Sequence, residues 1–168
     1  MGEATDARHW EASSLREKII EHLFVGELLR HLWRIGRRDM ELLRAEVDNG
    51  GYDLALGCNG RLRHVQLKAS HQDGAARSVN VNIGLAGKRG ACVIWIHFDP
   101  KTMALGPFHW LGSEQADGEL KLGDRVARHT KADAAGHKKE RPNIRQLRKS
   151  AFTKIETIDG VAKALFGL

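Results

Sequence analysis

The fold is decided by Gly50-Gly51-Tyr52-Asp53-Leu54-Ala55-Leu56 and His64-Val65-Gln66-Leu67-Lys68-Ala69-Ser70, which flank Cys58-Asn59-Gly60-Arg61. Asn-Gly between two apolar runs favours a two-residue type I′ turn, because both central residues of that turn need a positive φ. Such a turn places Asp53 opposite Gln66. Lys68 shares their face, because side chains alternate along a strand with a period of two. The hairpin therefore predicts a carboxylate, an amide and an ammonium side by side, a set suited to a divalent metal ion and a phosphate.

This arrangement resembles the PD-(D/E)XK nuclease superfamily, which includes type II restriction enzymes, archaeal Holliday junction resolvases and Mrr-like restriction proteins. The family pattern is an Asp at the start of one strand and Glu-x-Lys or Gln-x-Lys on the next, matched here by Asp53 and Gln66-Leu67-Lys68. Small members also have a helical Gly-Glu and a Val-Gln-x-Lys-x-Ser strand, which stand here as Gly26-Glu27 and Val65–Ser70. The resemblance covers roughly residues 14–70 well and the remainder loosely.

The resemblance implies a restriction-endonuclease-like α/β fold, with a mixed central sheet of four to five strands flanked by helices. It implies a DNA endonuclease that hydrolyses phosphodiester bonds with Mg²⁺ or Mn²⁺ as cofactor, and it leaves RNA open as a substrate. The implied metal ligands are Asp53, Gln66, Glu27 and the backbone carbonyl of Leu67. Lys68 would orient or activate the attacking water and stabilise the negative charge that develops on the phosphoryl group. Many relatives are dimers, so the resemblance also implies a homodimer.

Gln66 departs from the commonest family pattern, which has Glu at this position. A neutral amide offers one carbonyl oxygen and no charge, so it binds a hard cation more weakly than a carboxylate does. This departure keeps open a second interpretation, a catalytically inactive nucleic-acid-binding or interaction module on the same fold. A third interpretation for Asp53 and Lys68 is a solvated cross-strand ion pair, worth only about 0.2–1 kcal/mol.

Two glutamates of the first helix are candidates for approaching the site. Glu27 falls near the apolar stripe of Ile20, Leu23 and Phe24, whereas Glu21 is expected to point away from that stripe. A carboxylate on a core-facing stripe costs free energy unless it has a partner. We therefore expect Glu27 at the site, and the alternative is an ordinary helical Glu at the edge of the stripe.

Composition indicates a globular protein with a polyanionic partner. The chain has 168 residues, 42% of them hydrophobic and 29% charged, which predicts a single nuclease-like domain over residues 1–168. The apolar run Ala91–Ile96 is too short to span a bilayer, and two isolated cysteines favour reduced thiols and a cytoplasmic location. The net charge of +6 and the pI of about 9.6 favour nucleic acid as partner and no membrane.

The remaining patterns outline the order of elements along the chain. We expect a loose arm over residues 1–12, and then a helix that opens with a Ser14–Glu17 capping box and ends near Gly36. The predicted later elements are strands at 78–82, 91–98, 106–111 and 143–149, an irregular basic segment over 112–142, and a helix over 158–166 capped by Thr157 or Asp159.

Basic side chains concentrate in the last third of the chain, between Arg125 and Arg148. Such a charge run is either a solvated loop or a clamp for a phosphate backbone. The residues predicted to contact nucleic acid are Ser70, Lys88, Arg89, Lys138, Lys139 and Arg141. The sequence shows no zinc-ligand spacing, no Gly-x-Ser-x-Gly elbow, no full P-loop and no helix-turn-helix, which disfavours those classes of protein.

Overall fold

The computed structural model describes residues 3–47 and 49–168, and the side chains from residue 12 onward within those ranges. In chain order the helices and strands are α1 (Glu3–Arg34), β1 (Glu41–Arg44), β2 (Leu54–Cys58), β3 (Arg61–His71), β4 (Ser78–Asn82), β5 (Ala91–Phe98), β6 (Leu105–Gly112), β7 (Val126–Arg128), β8 (Glu140–Arg148), β9 (Thr153–Ile155) and α2 (Ile158–Phe166). Single 3₁₀ turns follow β4 and β8. Among the described residues, no helix is both long and apolar enough to cross a bilayer.

Helix α1 begins much earlier than predicted. Its backbone is helical from Glu3, so the expected loose arm is wrong for residues 3–12, and residues 1–2 lie outside the described part. The segment contains three Ala and two Glu, which have high helix propensity, so the helix continues through Ser14 without a cap there. The predicted end is confirmed, since Gly36 adopts a φ of +86° two residues after Arg34.

The predicted hairpin is confirmed. Asn59 and Gly60 have φ values of 54° and 68°, and Cys58 pairs with Arg61 as a type I′ turn requires. The two strands differ in length, because β2 has five residues and β3 has eleven. Strand β3 therefore continues beyond the point where β2 begins.

The central sheet has six strands rather than four or five, in the order β1-β2-β3-β5-β6-β9. It is mixed, because β3 and β5 run parallel and the other neighbours run antiparallel. The additional strands β1 and β9 have four and three residues and lie at the two edges. Neither has a clear period-two pattern, which is why the sequence did not reveal them.

Both faces of the sheet are covered. Helices α1 and α2 pack on one face through a core that includes Phe24, Leu28, Ile94 and Phe166. A three-stranded antiparallel sheet, β4-β8-β7, lies on the other face around Trp95. Every residue of β5 is buried, as expected for a strand that is covered on both sides.

The second sheet changes the interpretation of the basic segment. Residues 112–142 were expected to be irregular, but they contain β7 and the start of β8, and β8 extends the predicted strand at 143–149 toward the N-terminus. The C-terminal helix is confirmed at 158–166, with Thr157 as its cap: the Thr157 hydroxyl accepts a hydrogen bond from the Gly160 amide at 3.2 Å.

Candidate active site

The site begins where β2 stops and β3 continues. Leu54 is the first residue of β2 and pairs with Val65, so residues 66–71 of β3 have no β2 neighbour. The amide of Leu67 donates instead to the Asp53 carboxylate, with 2.7 Å between N and Oδ2. Because the N–H and C=O groups of a strand residue point to the same edge, the Leu67 carbonyl also faces this open edge.

A cleft of ≈ 460 Å³ lies between the open edge of β3 and the first half of α1. The sheet contributes Asp53, Gln66, Leu67, Lys68 and Ala69, and the helix contributes Ser14, Glu17, Lys18, Ile20 and Glu21. The structure therefore brings together the carboxylate, the amide and the ammonium that the hairpin predicted. Gln66 is the most enclosed of the three, at 9% exposed.

Glu21 lines the cleft, and Glu27 does not. Glu21 is 8% exposed, so the expectation that it points away from the core is wrong. Glu17 and Glu21 are one turn apart and share a helix face, whereas the six-residue offset of Glu27 turns it elsewhere. Glu27 was expected at the site because Leu23 was counted in the apolar stripe. Leu23 is more than a third exposed, so it does not mark the buried face of α1.

Glu21 is held by two cations. Its Oε1 lies 2.9 Å from Nη1 of Arg44, and its Oε2 lies 2.9 Å from Nζ of Lys18. Glu27 is half-buried, and burial raises the pKa of its carboxyl group while Arg30 opposes that shift. Of the two carboxylates that α1 contributes to the cleft, the buried one, Glu21, is therefore paired with neighbouring cations.

The cleft contains oxygen donors that could hold a divalent metal ion. Within the described residues, no three side chains of His, Cys, Asp or Glu converge as a metal site. The available donors are the Asp53 carboxylate, the Gln66 amide oxygen and the Leu67 carbonyl, with Glu17 on the facing helix. Mg²⁺ is commonly held by one or two carboxylates together with water and substrate phosphates, and this donor set fits that mode.

None of the residues predicted to contact nucleic acid lines the cleft. The Ser70 hydroxyl accepts a hydrogen bond from the Trp95 indole at 2.9 Å. Lys88 lies over the Tyr52 ring, and Arg89 lies 3.4 Å from the Asp117 carboxylate. The other three, Lys138, Lys139 and Arg141, are exposed at the start of β8.

A buried polar cluster next to the cleft was not predicted. The imidazole rings of His97 and His109 lie 4.6 Å apart, and Nζ of Lys149 is 3.3 Å from Nε2 of His97. Burial, with contributions from Lys149 and His109, lowers the pKa of His97 to about 4. The cluster is formed by β5, β6 and the turn after β8. Because its residues come from separate elements, no local sequence pattern predicts it.

Comparisons of the chain with protein-family models, with curated proteins and with solved structures gave no match.

Proposed function

We propose that this protein is a divalent-metal-dependent DNA endonuclease with a restriction-endonuclease-like fold. The observation that carries the proposal is the cleft at the open edge of β3, which Asp53, Gln66 and Lys68 line together with Glu17 of α1. Charged side chains at the ends of interior strands are uncommon unless they serve a site. The basic character of the chain supports a polyanionic substrate.

Asp53, Gln66 and the Leu67 carbonyl would hold Mg²⁺ or Mn²⁺, which supplies Lewis-acid polarisation of a phosphoryl oxygen when bound. The Leu67 amide donates a hydrogen bond to Oδ2 of the Asp53 carboxylate, which lines the cleft. Because this hydrogen bond comes from the backbone, the carboxylate is oriented before any ligand arrives. Such preorganisation lowers the cost of reaching a productive geometry.

Lys68 is the cation that β3 supplies to the cleft. Its ammonium group can donate hydrogen bonds to a non-bridging phosphate oxygen and to the attacking water. An ammonium there stabilises the negative charge that develops as the phosphodiester bond breaks. Glu17, which is exposed on the facing helix, can accept a proton from that water.

The test is cleavage of plasmid, single-stranded and branched DNA in Mg²⁺, in Mn²⁺ and in EDTA. We expect Asp53→Ala and Lys68→Ala to reduce the rate by at least about 100-fold, because each removes a group placed at the reacting phosphate. Glu27→Ala is the matched control: it removes a carboxylate from α1 outside the cleft and should retain the wild-type rate. Metal-dependent cleavage that survives Asp53→Ala would contradict the assigned centre.

A second function, binding of nucleic acid without hydrolysis, is favoured by two observations. Gln66 lacks the charge of a glutamate, and both oxygens of Glu21 are paired with Arg44 and Lys18. A module of this kind would bind DNA equally well in EDTA and in Mg²⁺ and would cleave in neither. Gln66→Glu discriminates further, since an added anionic ligand should raise metal-dependent activity in a nuclease and leave a pure binding module inactive.

A further inference from the structure

A second hollow, of ≈ 360 Å³, lies where β4 pairs with the end of β8. Four cations line it: Arg77, Arg125, Arg148 and Lys149. We call the cavity that these four residues line the basic hollow. Its other lining residues are Ser78, Gln146 and Ser150, so every side chain there is a cation or a neutral hydrogen-bonding group.

Backbone pairing holds the four cations together. Ser78 pairs with Arg148, and the Lys149 amide donates to the Arg77 carbonyl at 2.9 Å. The Gln146 amide donates to the Arg125 carbonyl at 2.8 Å, which brings the third arginine to the same place. The register of the second sheet therefore fixes the positions of the four cations in the basic hollow.

No carboxylate among the side chains described from residue 12 onward forms an ion pair with any of these four cations. Elsewhere on the surface such pairs do form, for example between Arg128 and Glu140 at 3.5 Å. Like charges gathered without a counter-charge repel one another and destabilise the folded state. A bound anion removes that repulsion, and guanidinium groups match the geometry of phosphate oxygens.

One tryptophan separates the basic hollow from the cleft. Nζ of Lys149 lies 5.7 Å from the centroid of the Trp95 ring. Trp95 is the register partner of Lys68 in the parallel β3–β5 pair, so both side chains are on the face that the second sheet covers. Trp95 itself is fully buried, so a strand that joins the two regions runs along the surface beside it.

We infer that the basic hollow binds a backbone phosphate of the nucleic-acid strand whose scissile bond lies in the cleft. The inference rests on the proposed function and adds to it the residues that position the strand. It also relocates the main phosphate contact from Lys138, Lys139 and Arg141 to Arg77, Arg125, Arg148 and Lys149. Because phosphate contacts carry no base information directly, binding there is independent of sequence.

The test is fluorescence anisotropy of labelled single-stranded and duplex DNA, and of an RNA of the same sequence, in EDTA between about 50 and 200 mM salt. We expect the Arg77→Ala/Arg148→Ala variant to weaken binding at least about tenfold and to reduce the log–log salt slope by about 1.4–1.8, which corresponds to two lost phosphate contacts. Arg77→Lys/Arg148→Lys keeps both charges and should retain most of the slope.

The matched control is Lys138→Ala/Lys139→Ala, which removes the same charge from exposed positions outside the basic hollow. An equal loss in the two alanine variants, or no binding by the wild type, would overturn the inference. Because EDTA prevents metal-dependent cleavage, this outcome is separate from that of the nuclease assay. If the wild type cleaves DNA and Arg77→Ala/Arg148→Ala binds it as well as the wild type does, the phosphate site in the basic hollow is refuted and the nuclease is not. If the variant binds more weakly but the wild type does not cleave, the nuclease is refuted and phosphate binding in the basic hollow is not.

Discussion

Arg63 shows how a single charged residue can be buried when each of its side-chain nitrogens donates a hydrogen bond. It is fully buried on β3, where Nε donates to the Leu165 carbonyl at 2.7 Å and Nη1 donates to the Gln115 carbonyl at 3.2 Å. Its Nη2 donates to the Ala164 carbonyl at 3.4 Å. The guanidinium thus serves the last carbonyls of α2, at the negative end of the helix dipole.

We expect Arg63→Met to lower the free energy of unfolding by about 2–3 kcal/mol, because it leaves buried carbonyls without donors. Arg61→Met is the control, since Arg61 is on the same strand and makes an exposed hydrogen bond to the Glu114 carbonyl. Urea unfolding followed by circular dichroism measures both. Equal losses of unfolding free energy in the two variants would show that burial does not make the hydrogen bonds of Arg63 more stabilising than that of Arg61.

His97 links stability to pH. Its folded-state pKa of about 4 lies below the ordinary value of 6.5, because burial and the Lys149 ammonium disfavour the imidazolium. Between these two values the unfolded chain binds more protons than the folded chain, so this contribution to stability is present above pH 6.5 and is lost as the pH falls toward 4.

We therefore expect the free energy of unfolding to fall more steeply in the wild type than in His97→Gln between pH 6.5 and 4. The difference between the two curves should change by up to about 3 kcal/mol over this range, at about 1.4 kcal/mol per pKa unit. Denaturant titrations at several pH values measure it, and comparison of the two curves removes the contribution of carboxylates common to both. Parallel curves would contradict the shifted pKa.

The elements recovered from the sequence were those with strong local signals. Asn59-Gly60 and the flanking alternation specified the hairpin with its register, and Gly36 specified the end of α1. The edge strands β1 and β9 are short, and their pairing depends on neighbours distant in sequence. Glu21 was missed for the same reason, because which face of α1 packs on the sheet is decided by tertiary contacts rather than by the helix itself.

The Asn59-Gly60 turn is a local signal whose contribution to stability can be measured. A Cβ at Gly60 would meet no heavy atom within 4 Å, so only the backbone conformation of φ +68° disfavours a larger residue. We expect Gly60→Ala to cost about 1 kcal/mol in the free energy of unfolding, which is the usual penalty for a left-handed residue with a side chain. Gly123→Ala, with a similar φ of +67° and equally open surroundings, lies outside the hairpin and should cost about as much. A much larger loss at Gly60 would mean that the substitution also weakens the pairing of β2 with β3.

At the scale of the whole molecule, charge is divided between two adjacent regions. The cleft combines three carboxylates with the cations Lys18 and Lys68, whereas only cations and neutral side chains line the basic hollow. The net charge of +6 belongs to the whole chain and does not show how charge is distributed between these two regions. The sequence predicted a polyanionic partner from that total, but the division itself follows from the pairing of β4 with β8, which no local pattern specifies.

This division predicts how metal and stability are coupled. A cation that binds the folded cleft and not the unfolded chain raises the melting temperature as its concentration increases. We expect Mg²⁺ to stabilise the wild type in the absence of DNA, Asp53→Ala to abolish the shift, and Gln66→Glu to enlarge it by adding a charged oxygen ligand. Lys68→Ala should also enlarge it, because the substitution removes a like charge from beside the metal while it abolishes cleavage. Differential scanning fluorimetry over a Mg²⁺ series, with Na⁺ at matched ionic strength as the control, measures each shift. A shift of the same size in Asp53→Ala as in the wild type would place the metal outside the cleft.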